Sequence, residues 1–306
     1  MPLIETYVFF DIETTGFPWQ ERNGTKIIEA SFVAVQRKDV ERANFGDIPL
    51  ASKYTFVLNP LRPIHPQVTA LTGLSNQSLE HAPLFIDKFN SLNTFLDELP
   101  KPACLVAHNG NTFDFKILLA ECSDIQTSLP TDLLCVDSLI GFRKLLKGTT
   151  IGYSDLRQVN TELLTDDEDE DNWPDLNVSR EEWEEIDEIC LSLSDISCED
   201  VNEGDSSDNE ETRSRINARD EVIKNVFRKG GFRSYVPKND GSKGKESYTL
   251  SALYKRLLNK EAVNAHRAEA DCIMLLECVV ALKNDFLPWA DDACKLLSQV
   301  KPLIRY

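Results

Sequence analysis

The chain has 306 residues, 42% of them apolar, which allows one large or two small domains with a real core. Its formal net charge of −18 is concentrated: Glu162 to Glu211 hold 22 acidic residues and one basic, Arg180, a local net of −21. The remaining residues carry 32 basic and 29 acidic side chains, net +3, so overall acidity does not exclude a nucleic-acid partner. No apolar stretch is long enough to span a bilayer, and the run Tyr7–Phe10 leads straight into Asp11 and forms no secretory signal. The eight cysteines show neither a CxxC pair nor finger spacing. A soluble protein with reduced thiols, in the nucleus and/or cytoplasm and not secreted, is expected.

TYVFFDI at 6–12 predicts a buried strand, and 27–35 and 54–58 predict two more, the last stopped by Asn59-Pro60. Turn signals and short helical pieces, including VTALTGLS at 68–75, follow, and then an amphipathic helix over 89–99. CLVAH at 104–108 reads as a strand, 114–122 as a helix, 135–137 as a brief strand and 138–147 as a helix. Strands followed by alternating strand and helix describe an α/β fold, a mixed sheet flanked by helices.

The character changes after Gly148. Residues 150–243 read as a long insertion, acidic and then basic, largely disordered because blocks of like charge do not support a packed core. Within it Ser179–Leu193 matches a helix with a capping box, suited to a protein partner or, equally, packed on its own domain or merely nascent. The basic loop 228–245 suits phosphates or serves as a solvated linker. Helices are expected again at 247–258, at 268–283 and near 289–297.

Three separated clusters carry chemistry: FFDIETTG at 9–16, AHNGNTFDF at 107–115 and HRAEADC at 266–272. Asp11 and Glu13, two apart on a strand, leave the same face while Ile12 points to the opposite layer, a carboxylate platform for a hard cation. Thr14, Thr15 and Gly16 turn the chain tightly beside it, offering hydroxyls and amides. Asp114 stands at a strand-to-helix junction, where α/β folds present ligands; an Asp there also serves as a helix N-cap. His108, at the end of the preceding strand, reads as satisfying a local hydrogen bond and not as a ligand. His266 and Asp271, five apart at a helix start, can face one cavity. Together the clusters read as a two-metal phosphodiester-cleaving site: two cations ~4 Å apart, held by Asp11, Glu13, Asp114 and Asp271, with His266 as the base that deprotonates water.

At these residues the chain resembles the DEDD exonucleases of the ribonuclease-H-like superfamily, in the subgroup with His five before Asp. FFDIETTGFP, VTALTGLS, AHNGNTFDF, CVDSLIGF, SYTLSALYKRLL and HRAEAD are similar to the three prime repair exonucleases. The resemblance implies one exonuclease domain over 1–306, with its core at 5–149 and 244–306 around a central mixed five-stranded sheet. It implies 3′→5′ release of nucleoside monophosphates from single-stranded or frayed DNA. Two Mg²⁺ per site, with Mn²⁺ as substitute, and a homodimer are implied too, whereas the membrane tail of that family has no counterpart here and no membrane partner is expected. Implied substrate contacts are Thr14, Thr15, Gly16, Phe17, Leu71, Asn109, Phe113 and His266. Phe17 stands where relatives often carry Leu and takes the wedge position against the terminal base. The turn before Asp114 reads Asn-Thr-Phe where mammalian members carry a basic residue and Tyr. A 3′→5′ RNA exonuclease is the first alternative, since metals and base act on a phosphate common to both nucleic acids. An inactive exonuclease fold that binds a protein partner through its acidic arm is the second.

Overall fold

The computed structural model describes residues 3–159, 247–262 and 266–305. These fall within one compact unit, 1–167 with 246–306. The helix expected at Ser179–Leu193, the acidic segment and the basic loop lie outside the described residues.

The sheet is built outward from two long strands. β1 (Thr6–Thr14) pairs antiparallel with β2 (Ile27–Gln36), and β2 with β3 (Ser52–Val57). On its other side β1 pairs parallel with β4 (Ala103–Ala107), and β4 parallel with β5 (Leu134–Asp137). A two-residue strand, β6 (Lys295–Leu296), closes the order β3-β2-β1-β4-β5-β6. The sheet therefore has six strands, not the expected five. Two residues are too short to show a period of two, and the apolar run there reads as the continuation of a helix.

Apolar residues on alternate sides of the strands seat helices on both faces. Tyr7, Phe9 and Val106 pack toward α5 (Ser138–Leu146), α7 (Leu250–Leu258), α8 (Ala268–Ala281) and α9 (Lys283–Ala293). Val8, Phe10, Ile12 and Leu105 pack toward α3 (Phe85–Asp97) and α4 (Asp114–Asp124). β2 is buried over nine consecutive residues because both of its faces are covered. Four short or displaced elements complete the picture. α1 (Arg37–Arg42) continues β2, α2 (Pro66–Thr72) ends at the left-handed Gly73, and α6 (Tyr153–Val159) occupies the near end of the expected insertion. α3 starts four residues earlier than its apolar periodicity suggests, because Asp87 accepts the Leu84 backbone N–H at 2.8 Å and caps the first turn. Among the described residues no helix is long and apolar enough to cross a membrane, and the six cysteines are free and buried.

Candidate active site

β1 places Asp11 and Glu13 on the face toward α8, and Ile12 enters the opposite core, as a strand's period of two requires. Asp271 lies in the first turn of α8, the helix laid across that face. Carboxylate oxygens of Asp11, Glu13 and Asp271 all lie within 4.8 Å of one another. Asp114, buried at the start of α4, approaches from the end of β4 and is, after burial, the strongest influence on Asp11. Oxygen donors alone, from four carboxyl groups, form a set that suits a hard divalent cation.

Like charges held in a partly dry place resist ionisation. Burial, then Asp114, Asp271, Glu13 and Glu29, push Asp11 well above the usual carboxylate range. Burial, followed by Asp271 and Glu29, pushes Glu13 up to about 8. Burial likewise raises Asp114 to about 8 and Asp271 to about 6. The cluster is therefore electrostatically frustrated until positive charge arrives.

His266 stands one residue before the N-cap of α8, exposed, in a left-handed backbone conformation with φ +69°. Its backbone N–H donates to Asp271 Oδ2 at 3.0 Å, so the turn that carries the imidazole is tied to a member of the cluster. Partial desolvation lowers the imidazole pKa, favouring the neutral form near pH 7.

The turn that delivers Asp114 is held from below by Asp137. This buried carboxylate at the end of β5 accepts the N–H groups of Asn109 (2.9 Å), Asn111 (3.0 Å) and Leu139 (3.1 Å). Asn109 takes φ +65°, and Gly110 lies so close to Ala107 and the Phe115 ring that a Cβ would meet both at 2.7 Å. Asn109 thus serves the turn through its backbone. His108 behaves as the sequence suggests, contacting Ser138 Oγ at 3.0 Å and the Tyr248 carbonyl at 2.9 Å. Burial lowers its pKa to about 4. The neutral ring donates from Nε2 to the carbonyl and accepts the Ser138 hydroxyl at Nδ1.

The segment after Glu13 is a tight, self-bonded turn. The Thr14 hydroxyl donates to the Gly16 carbonyl at 3.0 Å. The Thr15 hydroxyl donates to Glu21 at 2.7 Å and accepts the Lys26 N–H at 3.1 Å. Both side chains are buried, and these hydroxyls, which the sequence offered near the metals, hold the turn itself together. Beyond them the Phe17 ring stacks on Trp19 with centroids 4.4 Å apart and meets Phe113 edge-on at 6.4 Å. An aromatic row thus runs from the residue preceding Asp114 outward. Leu71, on α2, is 42% exposed, and the His65 N–H joins the start of that helix to the Thr15 carbonyl at 2.8 Å.

Two residues of the site escaped the sequence reading. Glu29, a lone acid in the apolar strand IIEASFVAVQ, is opposite Glu13 in the β1–β2 register. Arg267 pairs with it at 2.7 Å. The charge inside an otherwise apolar run was the available signal; its partner is 238 residues away and left none.

A family model described as Exonuclease matches residues 8–165. The chain belongs to the exonuclease family. It is 37% identical over 153 residues to three prime repair exonuclease 2 of Mus musculus, across 47% of this chain and 64% of that protein. To three-prime repair exonuclease 1 of Homo sapiens it is 31% identical over 160 residues, across 48% of this chain and 50% of that protein. The chain thus spans about half to just under two thirds of these relatives' length. The resemblance to three prime repair exonucleases read from the motifs is borne out. The solved structure of exonuclease I, described as suggesting how processivity is achieved, is 14% identical with a TM-score of 0.53. It covers 94% of this chain and 43% of that one, a likeness of fold.

Proposed function

We propose that this exonuclease-family chain is a 3′→5′ exodeoxyribonuclease that removes nucleoside monophosphates from single-stranded or frayed DNA ends. One observation carries the reading: oxygens of Asp11, Glu13 and Asp271 gather within 4.8 Å, beside a buried Asp114, under a helix that begins next to His266. Asp11, Glu13, Asp114 and Asp271 would hold two Mg²⁺ ions, with Mn²⁺ as substitute. When bound, such ions supply Lewis acidity to a phosphodiester and lower the pKa of an attacking water. His266, neutral near pH 7, accepts the proton of that water at a ring nitrogen. Phe17, on the turn directly after the metal-binding strand, stacks on the terminal base, a contact open to any base because each has a π face. Phe113 flanks Phe17, and Gly16, next to it in the chain, and Leu71, exposed on α2, are further substrate contacts in this reading. A need for a free 3′ nucleotide favours unpaired ends. A homodimer belongs to the same proposal and rests on the family resemblance, as does a protein partner for the acidic segment on its charge.

The test is purified protein with Mg²⁺ on 5′-labelled single-stranded DNA, duplex DNA and RNA of one sequence, beside Asp11→Ala. The single DNA strand should shorten fastest, as a ladder, and the variant should be inert. RNA shortened faster than DNA would move the chain to RNA processing.

A further inference from the structure

The mechanism leaves one buried carboxylate beside the cluster without a role. Glu29 is 2% exposed and faces Glu13 across the β1–β2 pair. It accepts from Arg267 Nε at 3.0 and 3.2 Å, from Arg267 Nη2 at 2.7 Å and from the Ala268 backbone N–H at 3.0 Å. Arg267 is the N-cap of α8 and Ala268 its first residue, and this helix has no side-chain cap of its own. A carboxylate from the middle of the sheet therefore caps the helix that carries Asp271, and a guanidinium fork fixes its direction. The residue just before, His266, sits at φ +69°, a conformation that a residue with a Cβ keeps only where its surroundings enforce it. Two bonds flank it: its own N–H to Asp271, and the side chain of Arg267 to Glu29.

We infer that Glu29 and Arg267 form a clamp that positions His266 and Asp271 against the Glu13 strand; the role of His266 rests on the function proposed above. Neither clamp residue touches the reacting atoms. Their effect is geometric: a displacement of ~1 Å at a reacting group costs on the order of 10²-fold in rate. The competing explanation is an ion pair that serves stability alone.

A double-mutant cycle separates the two. Arg267→Met strands a buried charge and should destabilise; adding Glu29→Gln removes that charge and should restore the melting temperature. Two readouts follow on the stable double variant. Amide hydrogen exchange across 266–271, measured without metal, should quicken about tenfold or more. Turnover of 5′-labelled single-stranded DNA with Mg²⁺ should fall about 10- to 100-fold in kcat, with KM within about twofold. Arg267→Lys keeps the charge, loses the fork, and should fall between; it carries the test should the double variant not fold. A double variant, or in that case Arg267→Lys, with native stability, wild-type exchange and wild-type kcat would overturn the clamp. If the wild type cleaves no DNA, the proposed function fails, and the exchange measurement still decides the clamp.

Discussion

Replacing Glu13 by Gln should make the metal-free protein more stable, and only above a definite pH. Glu13 carries a pKa of about 8 in the fold against 4.5 for the free side chain. Between those values the folded state binds more protons than the unfolded one, so stability falls as pH rises through the window. A full shift of this size corresponds to about 5 kcal/mol. A proton taken by a neighbouring carboxylate relieves Glu13, so on the order of 2–3 kcal/mol should be realised. For a domain of this size that is roughly 5–10 °C in Tm. Gln does not titrate and keeps the side-chain volume. Thermal melts in chelator at pH 4, 6, 8 and 9 should therefore show no difference at the acid end and a plateau of added stability above about 8. Millimolar Mg²⁺ or Mn²⁺ should raise the wild type's Tm and the variant's far less, because only the intact cluster binds the ions tightly. A Gln variant no more stable than wild type at pH 9 without metal would refute the claim that these carboxylates repel one another in the fold.

Further outcomes follow from other parts of the molecule. Asp11→Ala, Asp114→Ala and Asp271→Ala should each nearly abolish turnover while leaving a cooperative melt, and full activity in any two would sink the assignment. His266→Ala should lower kcat on the order of 10²–10⁴-fold with DNA binding retained; an unchanged rate would identify another base. His108, held at about 4, has the opposite linkage sign to Glu13. Its contribution is complete above about 6.5 and is lost as pH falls toward 4, up to roughly 3 kcal/mol, so His108→Gln should melt with a shallower acid slope. Gly141→Ala on α5 places a methyl 2.3 Å from the Trp289 ring, and urea titration should register about 1–3 kcal/mol of lost stability.

The gathering of carboxylates was legible because it follows local rules. Two carboxylates at i and i+2 on a strand must share a face, and a strand-to-helix junction must present Asp114 beyond the carboxyl end of its strand. β6 and α1 were not legible, since two and six residues carry too little period to stand out. The start of α3 hid behind a cap three residues into the helix. The clamp was beyond reach for a different reason. Glu29 and Arg267 become neighbours only through the β1–β2 register and the seating of α8, neither of which one sequence reports. Asp137 read as the end of a strand, yet its value lies in three backbone N–H groups, two from the turn before Asp114 and one from the first turn of α5. Thr14 and Thr15 were read too simply: the turn consumes the hydroxyls that the motif seemed to offer.

The most direct test of the central claim compares one 5′-labelled DNA strand in linear and covalently closed circular form, each incubated with the protein with and without Mg²⁺. The four-carboxylate site with its His266 base predicts a ladder that shortens one nucleotide at a time from the 3′ end of the linear strand. It predicts an untouched circle, and silence in chelator and in Asp11→Ala. Internal fragments from the circle, or equal cleavage by Asp11→Ala, would contradict it.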